Sequence, residues 1–366
     1  MPPNVSYPDI RAEDLRRAAR NRPGFWAASL ITATLGILAG IAIFMGWLIL
    51  PDAWIPAQFW PLVQILLALT PALIWLISFS IGNRTGNGMR RAVFLLWLVT
   101  AALYFVTVNP LTAHVFQLDV WLYTAWWSEL LGRLLVIAPL ELFFIYLVVR
   151  YGVYPTSAFH TLTDGAIYGA AAGLGVATAL NLLSVFSPGF PDLSQGVLQS
   201  CEQALGYAAL GALLGYFMGQ ARFRRTNIFY LASGLLLTVI LHAMFFFTLN
   251  VIQANDIFLQ SLDALIFAGV FAIILFAVIY WLLHRSRRAF RRMAALLEIR
   301  EEANKPKSLL ADVMQMVEAE QLEVRPSPPP PPSSPGNDHD DEDELESLKK
   351  SWEALIAEQE AGHDKL

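Results

Sequence analysis

The chain has 366 residues, of which 56% are hydrophobic and only 15% are charged. Its mean hydropathy of +0.49 and a charged fraction well below the roughly 25% of soluble domains exclude an ordinary soluble enzyme. The net charge of −5 reflects an acidic cluster near the C terminus and not a binding face, because arginines dominate the short segments between apolar runs. A single cysteine, Cys201, excludes an internal disulfide and any multi-cysteine metal site.

Long apolar runs predict helices that cross a membrane. A bilayer core requires about 20 apolar residues per helix, and the first such run follows an arginine-rich segment, 1–24, and is too long for a signal peptide. The sequence therefore predicts an all-α polytopic membrane protein with a helical bundle over 25–284. About eight spans are expected, near 25–49, 58–82, 92–112, 130–149, 164–187, 198–220, 228–252 and 262–284.

The distribution of arginine predicts the orientation of these spans. Arginines precede the first span and recur in every second connection, whereas the connections around 50–57, 113–128, 188–197 and 253–261 have no Lys or Arg. By the positive-inside rule, both termini are expected in the cytoplasm, which agrees with an even number of spans. We expect a multi-pass protein of the bacterial plasma membrane, with the lipid bilayer as its surroundings.

The composition changes after the last predicted span. Residues 285–325 are predicted to form an amphipathic juxtamembrane helical segment, followed over 326–366 by a proline-rich spacer and an acidic tail. This region is either a solvated tail or a docking arm for a cytoplasmic partner. Nucleic-acid binding is not expected, because membrane topology accounts for the arginines.

Ionisable residues inside predicted spans are candidates for function, since each costs about 2.5–3.5 kcal/mol at mid-bilayer. Glu141 and His242 fall near the middle of the fourth and seventh spans, where they are the candidate catalytic pair. They can share a proton, polarise a water molecule or hold a divalent metal, or Glu141 can simply be satisfied by polar neighbours. Three structural polar residues are predicted nearer the extracytoplasmic side of the membrane, namely Arg133, Asn181 and Glu202.

Arg133 has two candidate partners. It follows Glu129 by one helical turn and pairs with it on a regular helix. Glu202, on a neighbouring predicted span, is the alternative partner. Such a pair would fix the register of the helices, although the net stability of a buried ion pair is small.

Two predicted spans carry small residues at every fourth position, which permits close approach of helices. Two interpretations remain: tight packing of the two helices, or a glycine-lined groove that admits a substrate helix. The glycines are Gly165, Gly169 and Gly173 in one span and Gly211, Gly215 and Gly219 in the next.

Residues 138–247 carry several motifs in a fixed order. A glycine-rich stretch, DGAIYGAAAGLGVATALN, occupies 164–181, with Tyr154-Pro155 and Phe159 upstream of it. GALLGYFMGQARF at 211–223 and Leu-His-Ala at 241–243 follow downstream. In these motifs and their offsets, the segment resembles the PrsW family of intramembrane proteases. The resemblance implies a membrane-embedded peptidase fold, with Glu141 at the first family glutamate and His242 at the last family histidine.

Most other catalytic positions of the family are substituted here. The second glutamate, the lysine, a further glutamate, one histidine and a late polar residue correspond to Leu142, Ile145, Leu180, Tyr207 and Phe246, respectively. A catalytic zinc takes three protein ligands, and Glu141 with His242 supplies two. The resemblance therefore implies the fold more firmly than the peptidase activity, and whether the protein is an enzyme stays open.

Three functions are compatible with these residues. The first is a catalytically degraded PrsW-like protein that binds or regulates transmembrane segments of partner proteins between the fourth and seventh spans. The second is an active peptidase with a reduced site, in which Glu141 activates water and His242 assists. The third is a transporter that uses Glu141, Arg133 and Glu202, which no inverted repeat supports.

Overall fold

The computed structural model describes residues 59–82, 87–156, 158–186, 193–223, 228–255 and 262–304, together with Arg16. These residues form helices and turns, with no strand among them. The helices are α1 Trp60–Gly82, α2 Asn87–Leu103, α3 Leu118–Trp121, α4 Trp126–Gly132, α5 Ala138–Gly152, α6 Leu162–Val185, α7 Leu193–Phe223, α8 Ile228–Asn255 and α9 Leu262–Asn304.

Five stretches of the described chain are long and apolar enough to cross a membrane. The predicted all-α polytopic membrane protein is therefore confirmed. The predicted spans from 58–82 onward each coincide with a helix, although α1 and α7 are not among the five stretches. The first predicted span and the segments 1–24 and 326–366 lie outside the described residues, apart from Arg16. The five stretches are Met89–Val115, Trp126–Gly152, Leu162–Val185, Phe229–Ala254 and Leu262–Leu297.

Helix α6 is the centre of the bundle. Nearly all of its residues are buried, and it packs against α1, α2, α5 and most extensively α7. Its start is fixed by Thr161 and Asp164, each of which accepts a hydrogen bond from the other's backbone N–H, as in a capping box. The Trp97 indole N–H donates to the Thr178 hydroxyl at 3.0 Å, which joins α2 to α6.

Helix α9 runs without a break from Leu262 to Asn304. The last predicted span and the beginning of the predicted segment 285–325 are thus one helix. Arg287 is 5% exposed, and its guanidinium donates to the Thr163 hydroxyl at 3.0 Å, so this arginine anchors α9 to α6. The chain divides into two compact units, Met1–Ala303 and Asn304–Leu366, and residues 305–366 lie outside the described part.

Candidate functional site

Glu141 lies in the first turn of α5 and is 2% exposed. Its two carboxyl oxygens accept hydrogen bonds from two different helical segments. The Tyr104 hydroxyl donates to Oε1 at 3.1 Å, and the Tyr207 hydroxyl donates to Oε2 at 2.6 Å. A buried carboxyl group without such donors would be strongly destabilising, so the two tyrosines explain how the bundle tolerates Glu141.

His242 is fully buried, and its Nε2 lies 3.0 Å from Oε2 of Glu141. The structure therefore brings together the two residues that the sequence singled out from different spans. The ring is turned so that neither nitrogen makes an aligned hydrogen bond within the described part of the chain. The imidazole is in contact with the carboxyl group but is not oriented by a further polar partner.

Aromatic rings enclose the remaining sides of His242. Its ring centroid lies 5.3 Å from that of Tyr207 and 4.6 Å from that of Phe246, and the Tyr207 and Phe246 centroids are 4.9 Å apart. These distances are typical of favourable aromatic contacts. The three side chains thus form a packed cluster next to Glu141.

Two π-helical turns position the site. One spans Tyr104–Val108 and carries Tyr104 itself, and the other spans Arg133–Ile137 directly before α5. Each lies just before a proline, Pro110 or Pro139. Proline has no N–H to donate to the carbonyl four residues earlier, and its ring crowds that carbonyl. The widened turns accommodate this clash, and such turns are common at functional sites.

A cavity of about 480 Å³ reaches Glu141 and Tyr207. Polar side chains make up much of its wall. They include Tyr104, Thr112, Asp119, Arg133, Gln199, Gln203, Asn250 and Gln253. Glu141 is thus buried but borders a partly open cavity, whose wall includes the exposed residues Asp119 and Tyr123, with many hydrogen-bonding groups.

Arg133 pairs with Glu129, with Nε at 2.9 Å from Oε1. The same oxygen accepts a hydrogen bond from the Asn250 amide at 2.7 Å. Glu202 instead accepts from the Gln253 amide at 2.9 Å. Of the two partners considered for Arg133, the structure thus selects Glu129, and both acidic residues are tied to α8.

Asn181 lies in the interior, with its amide N–H groups directed to the backbone carbonyls of Ala68 and Ser200, each at 3.4 Å. It is 3% exposed and connects α6 with α1 and α7. This placement is structural and separate from the contacts around Glu141.

The glycines of α6 and α7 face each other. A Cβ atom at Gly169 would overlap the carbonyl oxygen of Gly211, and one at Gly215 would overlap that of Gly165. The backbones of the two helices are therefore in direct contact along this face. Of the two interpretations of these glycines, the contact agrees with tight packing of the two helices and leaves no groove on this face for a substrate helix.

A divalent metal at this site would need more ligands than the side chains offer. Within the described residues, no group of three or more His, Cys, Asp or Glu side chains lies close enough to hold a metal ion. Glu141 and His242 supply two donors, and the neighbouring donor on Oε2 is the phenol of Tyr207. A catalytic zinc site normally has three His, carboxylate or Cys ligands, so the donor set does not fit.

Sequence reasoning missed Tyr104, Asn250 and Gln253. Tyrosine and amide side chains carry no charge and do not stand out in an apolar span. A buried tyrosine hydroxyl nevertheless requires a partner, and this requirement was the available signal for Tyr104. The partner itself could not be identified, since Tyr104 and Glu141 are 37 residues apart.

Comparison with known proteins shows which family this chain resembles. The model of the PrsW family intramembrane metalloprotease matches residues 88–283. Protease PrsW of Bacillus subtilis is 27% identical over 108 residues, which are 29% of this chain and 48% of that protein. Protease PrsW of Halalkalibacterium halodurans is 25% identical over 183 residues, 49% of this chain and 79% of that protein.

The chain spans about half the length of the first curated relatives it matches, including Protease PrsW of Oceanobacillus iheyensis, at 28% identity and 52% coverage. No solved structure matches the chain. The family model, however, covers more than half of the chain and includes the helices that carry Glu141 and His242. The protein therefore belongs to the PrsW family of intramembrane metalloproteases.

Proposed function

We propose that this member of the PrsW family binds transmembrane segments of partner proteins without cleaving them. The observation that carries the proposal is the double occupation of the Glu141 carboxyl group by the hydroxyls of Tyr104 and Tyr207. A carboxylate that activates water must accept a proton from that water at an accessible oxygen. Here Tyr207 lies 2.6 Å from Oε2, where an attacking water would otherwise be held.

The metal chemistry implied by the family description has no adequate ligand set in the described residues. A bound metal would supply a Lewis acid and an activated water, but Glu141 and His242 leave it one ligand short. Leu142 and Ile145, on the same helix as Glu141, are fully buried apolar side chains. They add packing and no polar group that could stabilise an oxyanion.

The cavity beside Glu141 supports a binding role. Its wall carries the amides of Gln199 and Gln203, which both donate and accept hydrogen bonds, while the amide N–H groups of Asn250 and Gln253 already bind Glu129 and Glu202. Unpaired backbone groups are costly inside a membrane, so a locally unwound segment of a partner helix is stabilised by such amides. We therefore assign partner recognition to this cavity instead of to the glycine face of α6 and α7.

One observation favours a second candidate, an active peptidase with a reduced site. Glu141 and His242 lie 3.0 Å apart, and the cavity reaches Glu141. A rotation of Tyr207 would expose Oε2 to water, with His242 placed to assist. This candidate requires loss of peptide cleavage on replacement of either Glu141 or His242.

Capture of model substrates tests the binding proposal. A photo-crosslinking amino acid is placed at Gln203, which lines the cavity, or at the control position Leu237, which is 45% exposed on the outer face of α8. Single-span segments with a central glycine or proline are expected to cross-link at position 203 and not at 237. The yield is expected to be unchanged by Glu141→Gln. Equal yields at the two positions would contradict recognition by the cavity.

A further inference from the structure

An apolar groove of about 750 Å³ lies between α2 and α5, apart from the cavity at Glu141. Leu95 and Val99 form one wall, and Phe144 and Val148 form the other. Leu95 and Val99 are 55% and 44% exposed in the described part of the chain. The groove is therefore open to the surroundings of the helices, and its surface is suited to hydrocarbon.

One end of the groove is basic. Arg91, near the start of α2, lines this end together with Gly152 at the end of α5 and with Val153, Thr156 and Ala158 after it. None of the described residues that line the groove is acidic. An occupant with an apolar body and a negatively charged head therefore matches both the wall and the end.

Two further arginines hold the turn after α5 in place. The guanidinium of Arg150 lies 4.1 Å from the centroid of the Tyr154 ring, and that of Arg222 lies 5.2 Å from it. Arg222 also donates to the carbonyl of Thr156 at 3.2 Å. The Tyr154 phenol is uncharged near neutral pH, and burial raises its pKa further, so it does not offset the positive charge of these arginines.

The length of the groove discriminates between occupants. The lining of α2 extends from Arg91 to Leu103, which is about 18 Å at 1.5 Å per residue. A spanning helix is about 10–12 Å wide and about 30 Å long, which exceeds the length of the groove. An extended acyl chain is narrow enough to lie along the groove and to end within it.

We propose that this groove binds one acyl chain of an anionic phospholipid, with the lipid phosphate at the guanidinium of Arg91. Arginine pairs readily with phosphate oxygens, and basic pockets between membrane helices favour anionic headgroups. Arg91 accounts for the preference for an anionic headgroup, and the apolar walls retain the acyl chain. The site is separate from the cavity at Glu141 and does not depend on the function proposed for it.

Native mass spectrometry of the full-length protein in detergent tests this site. Phosphatidylglycerol and phosphatidylcholine with identical acyl chains are added in turn, and the occupancy of the first bound lipid is measured. Wild type is expected to prefer phosphatidylglycerol. Arg91→Gln is expected to weaken phosphatidylglycerol binding about fivefold, the effect of one arginine near an anionic lipid surface, and to leave phosphatidylcholine binding unchanged. Arg91→Lys is expected to retain most of the preference.

Two additional variants distinguish a specific site from diffuse attraction. Arg288 is exposed on α9 and does not line the groove, so Arg288→Gln is the matched control and is expected to bind lipid as wild type does. Val99→Trp fills the groove from an exposed position and is expected to reduce retention of both lipids. Unchanged binding in Arg91→Gln and Val99→Trp, which would follow if another segment of the protein fills the groove, would overturn the proposal. An equal loss in Arg288→Gln would also overturn it.

Discussion

Removal of the Tyr207 hydroxyl is expected to destabilise the bundle more than removal of the Tyr104 hydroxyl. Tyr207→Phe deletes a hydrogen bond of 2.6 Å to Oε2 of Glu141, and both side chains are 2% exposed. Among the described residues, the oxygen then retains the misaligned ring of His242 as its polar neighbour. Leaving a buried acceptor unsatisfied costs about 1–3 kcal/mol, and the phenylalanine ring fills the same space, so no cavity adds to this value.

Tyr104→Phe also leaves a buried carboxyl oxygen without its donor, so the same range of about 1–3 kcal/mol applies. The lost bond is longer, at 3.1 Å, and therefore weaker, so we expect a cost at the lower end of this range. The order of the two variants is the diagnostic result. Tyr151→Phe is the matched control, because the Tyr151 side chain is 75% exposed and its hydroxyl is open to the surroundings. We expect the control to change the unfolding free energy by less than about 0.5 kcal/mol.

The assay is reversible unfolding in mixed micelles, followed by circular dichroism as the fraction of denaturing detergent increases. A double-mutant cycle isolates the pair. In a Glu141→Leu background, Tyr207→Phe is expected to be neutral or stabilising, because the phenol has lost its acceptor and would otherwise remain buried and unpaired. The reasoning is refuted if Tyr207→Phe matches wild type within about 0.5 kcal/mol, or if its cost is unchanged without the carboxyl group.

Two further predictions concern packing and charge. Gly169→Ala would place a methyl group against the carbonyl oxygen of Gly211, and we expect a net loss of about 1–3 kcal/mol despite better helix propensity. Gly152→Ala meets only the end of a flexible leucine side chain at 3.3 Å and should melt within about 2 °C of wild type; equal melting of the two variants would contradict backbone contact. Arg133→Leu is expected to cost about 2 kcal/mol, between exposed and buried ion pairs. Combination with Glu129→Leu should recover part of this loss, as measured by thermal unfolding. Strict additivity of the two unfolding free-energy changes would argue against the ion pair.

Helix positions could be predicted from the sequence because the bilayer sets a minimum length for each apolar run. The predicted span 164–187 coincides with α6, Leu162–Val185, and the span 228–252 coincides with α8, Ile228–Asn255. The continuation of α9 to Asn304 was harder to predict, since a helix that leaves the membrane keeps its geometry while its composition changes. Composition marks the membrane boundary and does not mark the end of the helix.

The site was only partly predictable. Glu141 and His242 stood out because ionisable residues are rare in spans, and the structure brings them into contact. The partners of polar residues depend on how helices rotate around their axes, which hydropathy does not specify. The tyrosine pair around Glu141 and the amide of Gln253 on Glu202 follow from that rotation. The glycine spacing similarly predicts close approach, but it does not show whether the partner is a helix of the same chain.

Peptide-bond cleavage is the most direct test of the central claim that this PrsW-family protein binds membrane segments without cutting them. The purified protein in lipid is incubated with a panel of single-span substrates, alongside Glu141→Gln and His242→Ala at matched amounts, and the products are identified by mass spectrometry. The account predicts captured, intact substrates and the same absence of products in all three proteins. Products formed by wild type and lost in both variants would contradict it and would establish the Glu141 and His242 pair as a working peptidase site.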